Sequence, residues 1–103
     1  MLTLEKKFDG ERCDMEIKGR VDTAMSVEME RALSSIPKPV TRLVLDLSSV
    51  GYICSSGLRI LLTAHKEMAT RGGSMELKKV PEVVMEVLEA TGFSKTLRIN
   101  PLP

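Results

Sequence analysis

Few residues in this chain are equipped for chemistry, and the most suggestive of them stand together. Cys54-Ser55-Ser56-Gly57-Leu58 follows an apolar stretch, just where a helical period begins. A serine at a helix N-terminus can cap orphan N–H groups of the first turn, which is a structural task. The same placement exposes the hydroxyl and offers an attached phosphate free N–H donors and the positive end of the helix dipole. Phosphorylation would add about −1.5 to −2 charges without melting the helix, because this terminus favours anions. Such a site switches a surface and leaves the fold intact.

The remaining candidates have bland readings beside their chemical ones. His65 is the only histidine, so a His-rich metal site is impossible and a Ser-His-Asp site has little support. It falls on an apolar helical stripe, as a structural histidine does. Cys54 precedes a helix start, which can lower a thiol pKa; a plain free thiol is expected, with redox sensing as the other reading. Cys13 alternates with Met15 and Ile17 and reads as a small core residue. Two cysteines are too few for a disulfide framework, and their spacing suits no metal.

Asp46 interrupts an apolar strand and could hold the following loop by hydrogen bonds, with a direct role at the switch as the other reading. Arg20 and Arg59 flank the serines, where they could meet a partner or a phosphate, or stay solvated. Met25 and Met29, at helical spacing, read as core. Around Ser55 there is no G-x-S-x-G elbow, no glycine-rich phosphate loop opens a helix, and no acid pair has a nearby base. The reading is therefore not an enzyme, with no metal or cofactor. The serine is a substrate for another enzyme's chemistry.

Composition narrows the partners. A chain of 103 residues fits one domain, residues 1–103, and at this size it buries roughly two-thirds of its unfolded surface. With 15 basic and 14 acidic side chains, the net charge of +1 lacks the footprint of a nucleic-acid or anionic-membrane binder. Phe8, Tyr52 and Phe93 are the only aromatics, too few for a base-stacking platform. No apolar run approaches the ~20 residues that span a bilayer, and MLTLEKKFDG has no signal-peptide h-region. A cytoplasmic protein is expected, with no membrane insertion and no direct nucleic-acid contact.

The elements that must position the serines follow from periodicity. Leu2, Leu4 and Phe8 alternate as a half-buried strand does, Asp9-Gly10 supplies a hairpin turn, and Cys13, Met15 and Ile17 alternate again. After Gly19-Arg20-Val21-Asp22 the period lengthens. Met25, Met29, Ala32 or Leu33, and Ile36 mark an amphipathic helix that Asp22 or Thr23 can cap and Pro37 and Pro39 end. Leu43-Val44-Leu45-Asp46-Leu47 is a nearly unbroken apolar run, suited to a strand covered on both faces.

Ser48–Cys54 is expected as a loop, followed by a helix whose stripe is Leu58, Leu61, Leu62, His65, Met68 and Ala69, stopped by Gly72-Gly73. A short strand at Met75–Leu77 follows, and Pro81 opens a third helix with Val84, Val87 and Leu88 inward. Gly92 is placed to end it in a Schellman cap with Phe93. Leu97 and Ile99 mark a last strand before the tail Pro101-Leu102-Pro103. The order β-β-α-β-α-β-α-β predicts an α/β fold, its mixed, mostly parallel sheet flanked by helices. Strands joined through a helix run parallel and end at one edge. The loops at 19–22 and 48–57 therefore belong together, at the carboxyl ends of the strands where open sheets place their sites.

Residues Leu43–Leu62, LVLDLSSVGYICSSGLRILL, closely resemble the anti-sigma factor antagonists of the STAS domain family. Ile17–Thr23 is similar to the family's strand, G-[ER]-hydrophobic-Asp, helix-start segment, and Gly92–Ile99 looks like its closing segment. The matches cover the chain end to end, and the element order is the family's. The resemblance implies partner switching. An anti-sigma factor that is itself a serine kinase binds the unphosphorylated antagonist and releases a sigma factor; phosphorylation dissolves the complex, and a PP2C-type phosphatase resets it. Aligned on Ser-Ser-Gly-Leu, the phosphoacceptor is Ser55, with Ser56 its neighbour and Gly57 a point of close backbone approach. Asp22 matches an acidic position near the acceptor, and Arg20, Thr23 and Arg59 complete the implied docking surface. Cys54 departs from the family, which often has Asp or Ser there, and removes a hydrogen bond or kinase contact.

A charge argument stands beside the resemblance. With Asp22 and Ser55 on one edge, a phosphate adds repulsion and must itself be desolvated by any partner shaped for a hydroxyl. Such terms cost several kcal/mol, and ~1.4 kcal/mol is already tenfold in affinity. Two alternatives accompany this expectation. One is a STAS interaction subunit of another assembly, a phospholipid-transport or signalling complex; the other is a small-ligand or nucleotide-binding domain at the strand-end cleft.

Overall fold

The structure is a computed structural model and describes residues 2–101. The elements are β1 (Leu2–Asp9), β2 (Arg12–Val21), α1 (Thr23–Ser34), β3 (Arg42–Ile53), α2 (Ser55–Thr70), β4 (Ser74–Val80), α3 (Glu82–Thr91) and β5 (Arg98–Pro101). A single 3-10 turn, Phe93–Lys95, precedes β5. Leu102 and Pro103 of the expected tail lie outside the described residues, while Pro101 belongs to β5.

The five strands lie in the order β1-β2-β3-β4-β5. β1 and β2 form the antiparallel hairpin, turning at Gly10, whose φ is +61°, and all later pairings are parallel. Every helical crossover steps in the same direction, so right-handedness sets α1, α2 and α3 on one face of the sheet. That face carries rows in register: Cys13 beside Leu43 beside Met75, and Met15 beside Leu45 beside Leu77. Met29 and Leu33 from α1, Leu58, Leu61 and Met68 from α2, and Val84 and Leu88 from α3 close over these rows as one core.

The opposite face explains why the Leu43–Leu47 run is apolar at every position but one. Val44 points away from the helices yet is only 1% exposed. No helix covers it there; its register neighbours Asp14 and Glu76 flank it, and Arg12 pairs with Asp14 at 2.8 Å. The Leu43–Leu47 stretch is thus covered on both faces, one by helices and the other by neighbouring charged side chains.

Three details differ from the periodicity reading. Phe8 shares the helix-facing side of β1 with Leu4 but is 52% exposed, because it pairs with Cys13 at the hairpin end. On α2 the buried stripe runs through Ala64; Ala69 is exposed, and Leu62 and His65 are half-buried. After α3, Gly92 does take the left-handed conformation at φ +80°, but the chain enters the 3-10 turn with Leu97 N–H donating to Phe93 O.

The largest difference concerns the serines. Ser48–Ile53 is not a loop; it is the second half of a twelve-residue strand. Likewise Gly19–Val21 is the end of β2. The two strands stay paired to their last residues, Arg20 beside Tyr52 and Val21 beside Ile53. Two register shifts, between Glu16 and Lys18 and between Gly19 and Arg20, let β3 carry extra residues. Each bulge interrupts the two-residue alternation, which is why Ser48-Ser49-Val50-Gly51 does not read as a strand. At the first bulge the Asp46 carboxylate accepts the Ser48 N–H at 2.9 Å. Burial opposes ionisation of Asp46, but hydrogen bonds from Ser48 and the charges of Lys79 and Lys78 outweigh it and hold the carboxyl below its usual range. Asp46 thus has the structural role of holding the backbone.

Candidate functional site

Because β2 and β3 run side by side to their ends, the connections to α1 and α2 shrink to one residue each, Asp22 and Cys54. The Cys54 N–H donates to the Val21 carbonyl at 2.9 Å, tying the two helix starts together. Two N-termini therefore open on the same edge, each with N–H groups that its own helix leaves without partners.

Asp22 caps α1, its carboxylate accepting the Met25 N–H at 2.8 Å. Of the two expected caps, Asp22 is the one used, and the residue remains exposed. Cys54 occupies the cap position of α2 in extended conformation, with no side-chain capping bond. Burial opposes ionisation of its thiol. The hydrogen-bonded Ser56 hydroxyl, with the nearby Gly57 and Ser56 N–H dipoles and the Thr23 hydroxyl, outweighs that and pulls the pKa below the ordinary thiol value. Cys13, by contrast, is fully buried among apolar side chains, and burial pushes its thiol up.

The adjacent serines behave differently. Ser55 is the first residue of α2 and is exposed. Ser56 turns inward, its Oγ 3.0 Å from Cys54 Sγ and 3.3 Å from Ser26 Oγ on α1. Ser26 donates in turn to the Thr23 carbonyl at 2.7 Å and is 3% exposed. Gly57 is buried, and its close approach is to the chain's own core. A Cβ there would stand 2.8 Å from Val21 Cγ1 and 3.0 Å from Ile53 Cγ1. It lies buried beneath the exposed Ser55.

The edge is framed by Arg20, Thr23 and Arg59, all exposed. Arg20 stacks its guanidinium over the Tyr52 ring, 4.7 Å from the centroid, which fixes it on the sheet face away from the helices. Tyr52 itself is 39% exposed. Sequence reasoning missed Tyr52 and Ser26. Ser26 carried a signal, since it lies three residues before Met29 and seven before Leu33 on the buried stripe, where a polar residue must find partners. Tyr52 carried none, because its pairing with Arg20 depends on the second bulge.

Other parts of the molecule lie away from this edge. His65 is about three turns along α2 from Ser55 and has a buried Nδ1 without a hydrogen-bond partner. A cavity of about 520 Å³ opens between the C-terminal halves of α1 and α2, lined by Leu33, Ile36, Ile60, Ala64, Met68 and Arg71. It lies at the opposite end of the sheet from the strand-end cleft expected of a small-ligand domain. Among the described residues, no group of three or more His, Cys, Asp or Glu could hold a metal ion, and no helix is long and apolar enough to cross a membrane.

The family model described as Mlab, STAS domain, matches residues 4–100. A Bordetella bronchiseptica protein named as the anti-sigma factor antagonist BtrV is 35% identical over 78 residues, covering 75% of this chain and 67% of that protein. The crystal structure of an anti-sigma factor antagonist from Mycobacterium paratuberculosis superposes with a TM-score of 0.86 at 22% identity, over 98% of this chain and 86% of that one. The unphosphorylated anti-sigma factor antagonist SpoIIAA gives a TM-score of 0.74 at 17% identity, over 96% and 86% of the two chains. SpoIIAA is also known in a phosphorylated form, as a cell-fate determinant of Bacillus.

Proposed function

Since the chain belongs to the STAS domain family, with anti-sigma factor antagonists among its relatives, we propose that it is itself such an antagonist, a cytoplasmic protein switched by phosphorylation of Ser55. One observation carries the reading. Of two neighbouring serines at the start of α2, one faces solvent on the edge that also presents Asp22. The unmodified edge docks onto an anti-sigma factor serine kinase, which then releases its sigma factor. Arg20, Thr23, Arg59 and the accessible part of Ser56 supply the surrounding contacts.

The physical basis is a small fold with almost no net charge. A phosphate on Ser55 meets the free N–H groups of the α2 N-terminus, so the fold accommodates it. The partner gains nothing comparable. It must desolvate a dianion placed beside the Asp22 carboxylate, which weakens binding while the antagonist stays folded. A PP2C-type phosphatase then restores the docking state. The chain contributes a substrate hydroxyl and no catalytic group.

A second reading keeps the same edge as a docking surface without phosphorylation, within another assembly. Cys54 favours it, because the position before the acceptor often carries Asp or Ser in the family and here carries a thiol. One experiment separates the readings. The purified protein is incubated with the anti-sigma factor kinase and Mg·ATP, then examined by intact mass and site mapping. One phosphate per chain on Ser55, absent from Ser55→Ala, supports the antagonist. Tight binding without phosphate transfer supports the second reading, and a kinase that binds neither form defeats the first.

A further inference from the structure

We propose that Ser26 and Cys54 decide which of the two adjacent hydroxyls becomes the phosphoacceptor, with Ser56 held as a positioning residue that a kinase cannot use. The inference rests on the phosphoacceptor reading above and goes beyond it. Nothing in a Ser-Ser pair by itself makes the first serine the target.

Phosphoryl transfer forms a bond between serine Oγ and the γ-phosphorus of ATP while the bond to ADP breaks. The hydroxyl proton passes to a base on the kinase. The acceptor oxygen therefore needs an open line of approach, a free lone pair and a proton that nothing else holds. Ser55 Oγ meets the first need by its exposure. Ser56 Oγ is half-buried and its proton is held, the oxygen lying between Cys54 Sγ at 3.0 Å and Ser26 Oγ at 3.3 Å. When Cys54 is a thiol, protons can run from Cys54 to Ser56, from Ser56 to Ser26, and from Ser26 to the Thr23 carbonyl. When it is a thiolate, the Ser56 proton turns to the sulfur. In both states the Ser56 proton is engaged.

Ser26 is the decisive partner because it belongs to a different element. It is the only polar side chain that is fully buried among the described residues, so its hydroxyl must be satisfied inside the fold. Neighbouring positions on a helix point about 100° apart, so drawing Ser56 toward α1 turns Ser55 outward. The contact also joins the N-termini of α1 and α2, whose first hydrogen bonds are Ser26 N–H to Asp22 O and Leu58 N–H to Cys54 O.

The test uses the full chain, the anti-sigma factor kinase and Mg·ATP, with site mapping by mass spectrometry. Wild type takes one phosphate on Ser55, Ser55→Ala takes none, and Ser55→Ala/Ser26→Ala takes one on Ser56. Should Ser26→Ala fail to fold, Ser55→Ala/Cys54→Ala releases the other side of Ser56 and is expected to give the same gain. Phosphate on Ser56 of Ser55→Ala, at a rate within threefold of wild type, overturns the inference, as does no gain in the double variants. If wild type itself takes no phosphate, the partner-switching reading fails, and amide exchange decides this one. Ser26→Ala is expected to speed exchange at Cys54 and Leu58 at least tenfold while Leu45 and Leu77 stay unchanged. Unchanged exchange at Cys54 and Leu58 overturns it.

Discussion

Cys54 donates its backbone N–H to the carbonyl oxygen of Val21 at 2.9 Å, the last link of a ladder that resumes after two bulges and runs into two helix starts. With no slack on either side, Asp22 and Ser55 face one edge as fixed neighbours. A rigid edge is what a charge switch needs, because a flexible loop could turn the new charge away from the partner. The consequences can be tested residue by residue.

Ser55→Glu places a carboxylate at the first position of α2, where the helix terminus favours negative charge by about 0.3–1 kcal/mol. Its melting temperature is expected to stay at or slightly above that of wild type. Kinase affinity is expected to fall at least tenfold, by calorimetry, while Ser55→Ala binds as wild type does. A glutamate variant that unfolds, or that binds unchanged, contradicts the switch.

Asp22 carries two roles that substitutions can separate. Asp22→Ala removes the acceptor of the Met25 N–H, and loss of such a cap costs about 1 kcal/mol. Asp22→Asn keeps an acceptor in place and removes only the charge. Stability in urea is expected to fall for alanine and hold for asparagine. Binding by the Ser55→Glu protein is expected to recover in part with Asp22→Asn, since one of the two repelling charges is gone.

Gly57→Ala tests how α2 sits on the sheet. The added methyl would crowd Val21 Cγ1 at 2.8 Å and Ile53 Cγ1 at 3.0 Å, so α2 must lift or both side chains must shift. Alanine gains about 1 kcal/mol over glycine within a helix, whereas overpacking costs about 1–3 kcal/mol. A net loss of stability is expected by thermal melting. Affinity for the kinase is expected to fall through displacement of Ser55, although residue 57 is itself buried.

Cys54 ionises below the ordinary thiol value in the fold. Its pH-rate profile with iodoacetamide is expected to have a midpoint below the unperturbed ~8.5. Ser56→Ala is expected to move that midpoint upward, while Cys13 stays protected by burial. The folded pKa lies below the unfolded one, so folding favours the thiolate. The stabilisation is fully present above about pH 8.5 and is lost as the pH falls through the folded pKa. The stability difference between wild type and Cys54→Ala is therefore expected to grow with pH across that window, measured by urea denaturation.

Much of this was legible in the residues. The hairpin, the three helices and the parallel order follow from period changes at Asp22, Cys54 and Pro81 and from turn chemistry at Gly10, Gly72 and Gly92. The motif around Ser55 pointed to a family that the comparisons support. The bulged halves of β2 and β3 were not legible. A bulge breaks the alternation that marks a strand, and serine and glycine offer no β-propensity to replace it. Val44 showed the reverse case, an apolar residue that predicted burial correctly without revealing that charged side chains provide it.

The sequence by itself determined which groups could serve as a switch: a hydroxyl pair at a helix start, an acid that caps another helix, and a nearly balanced charge. These are local chemistry and composition, and they survive errors in element boundaries. Tertiary structure alone decided that the two helix starts are adjacent and that the serines are not equivalent. Pairing between residues some thirty positions apart, Val21 with Ile53 and Ser26 with Ser56, sets both outcomes. Such pairings depend on bulges and on the buried face of a neighbouring helix, and no local pattern of residues encodes either one.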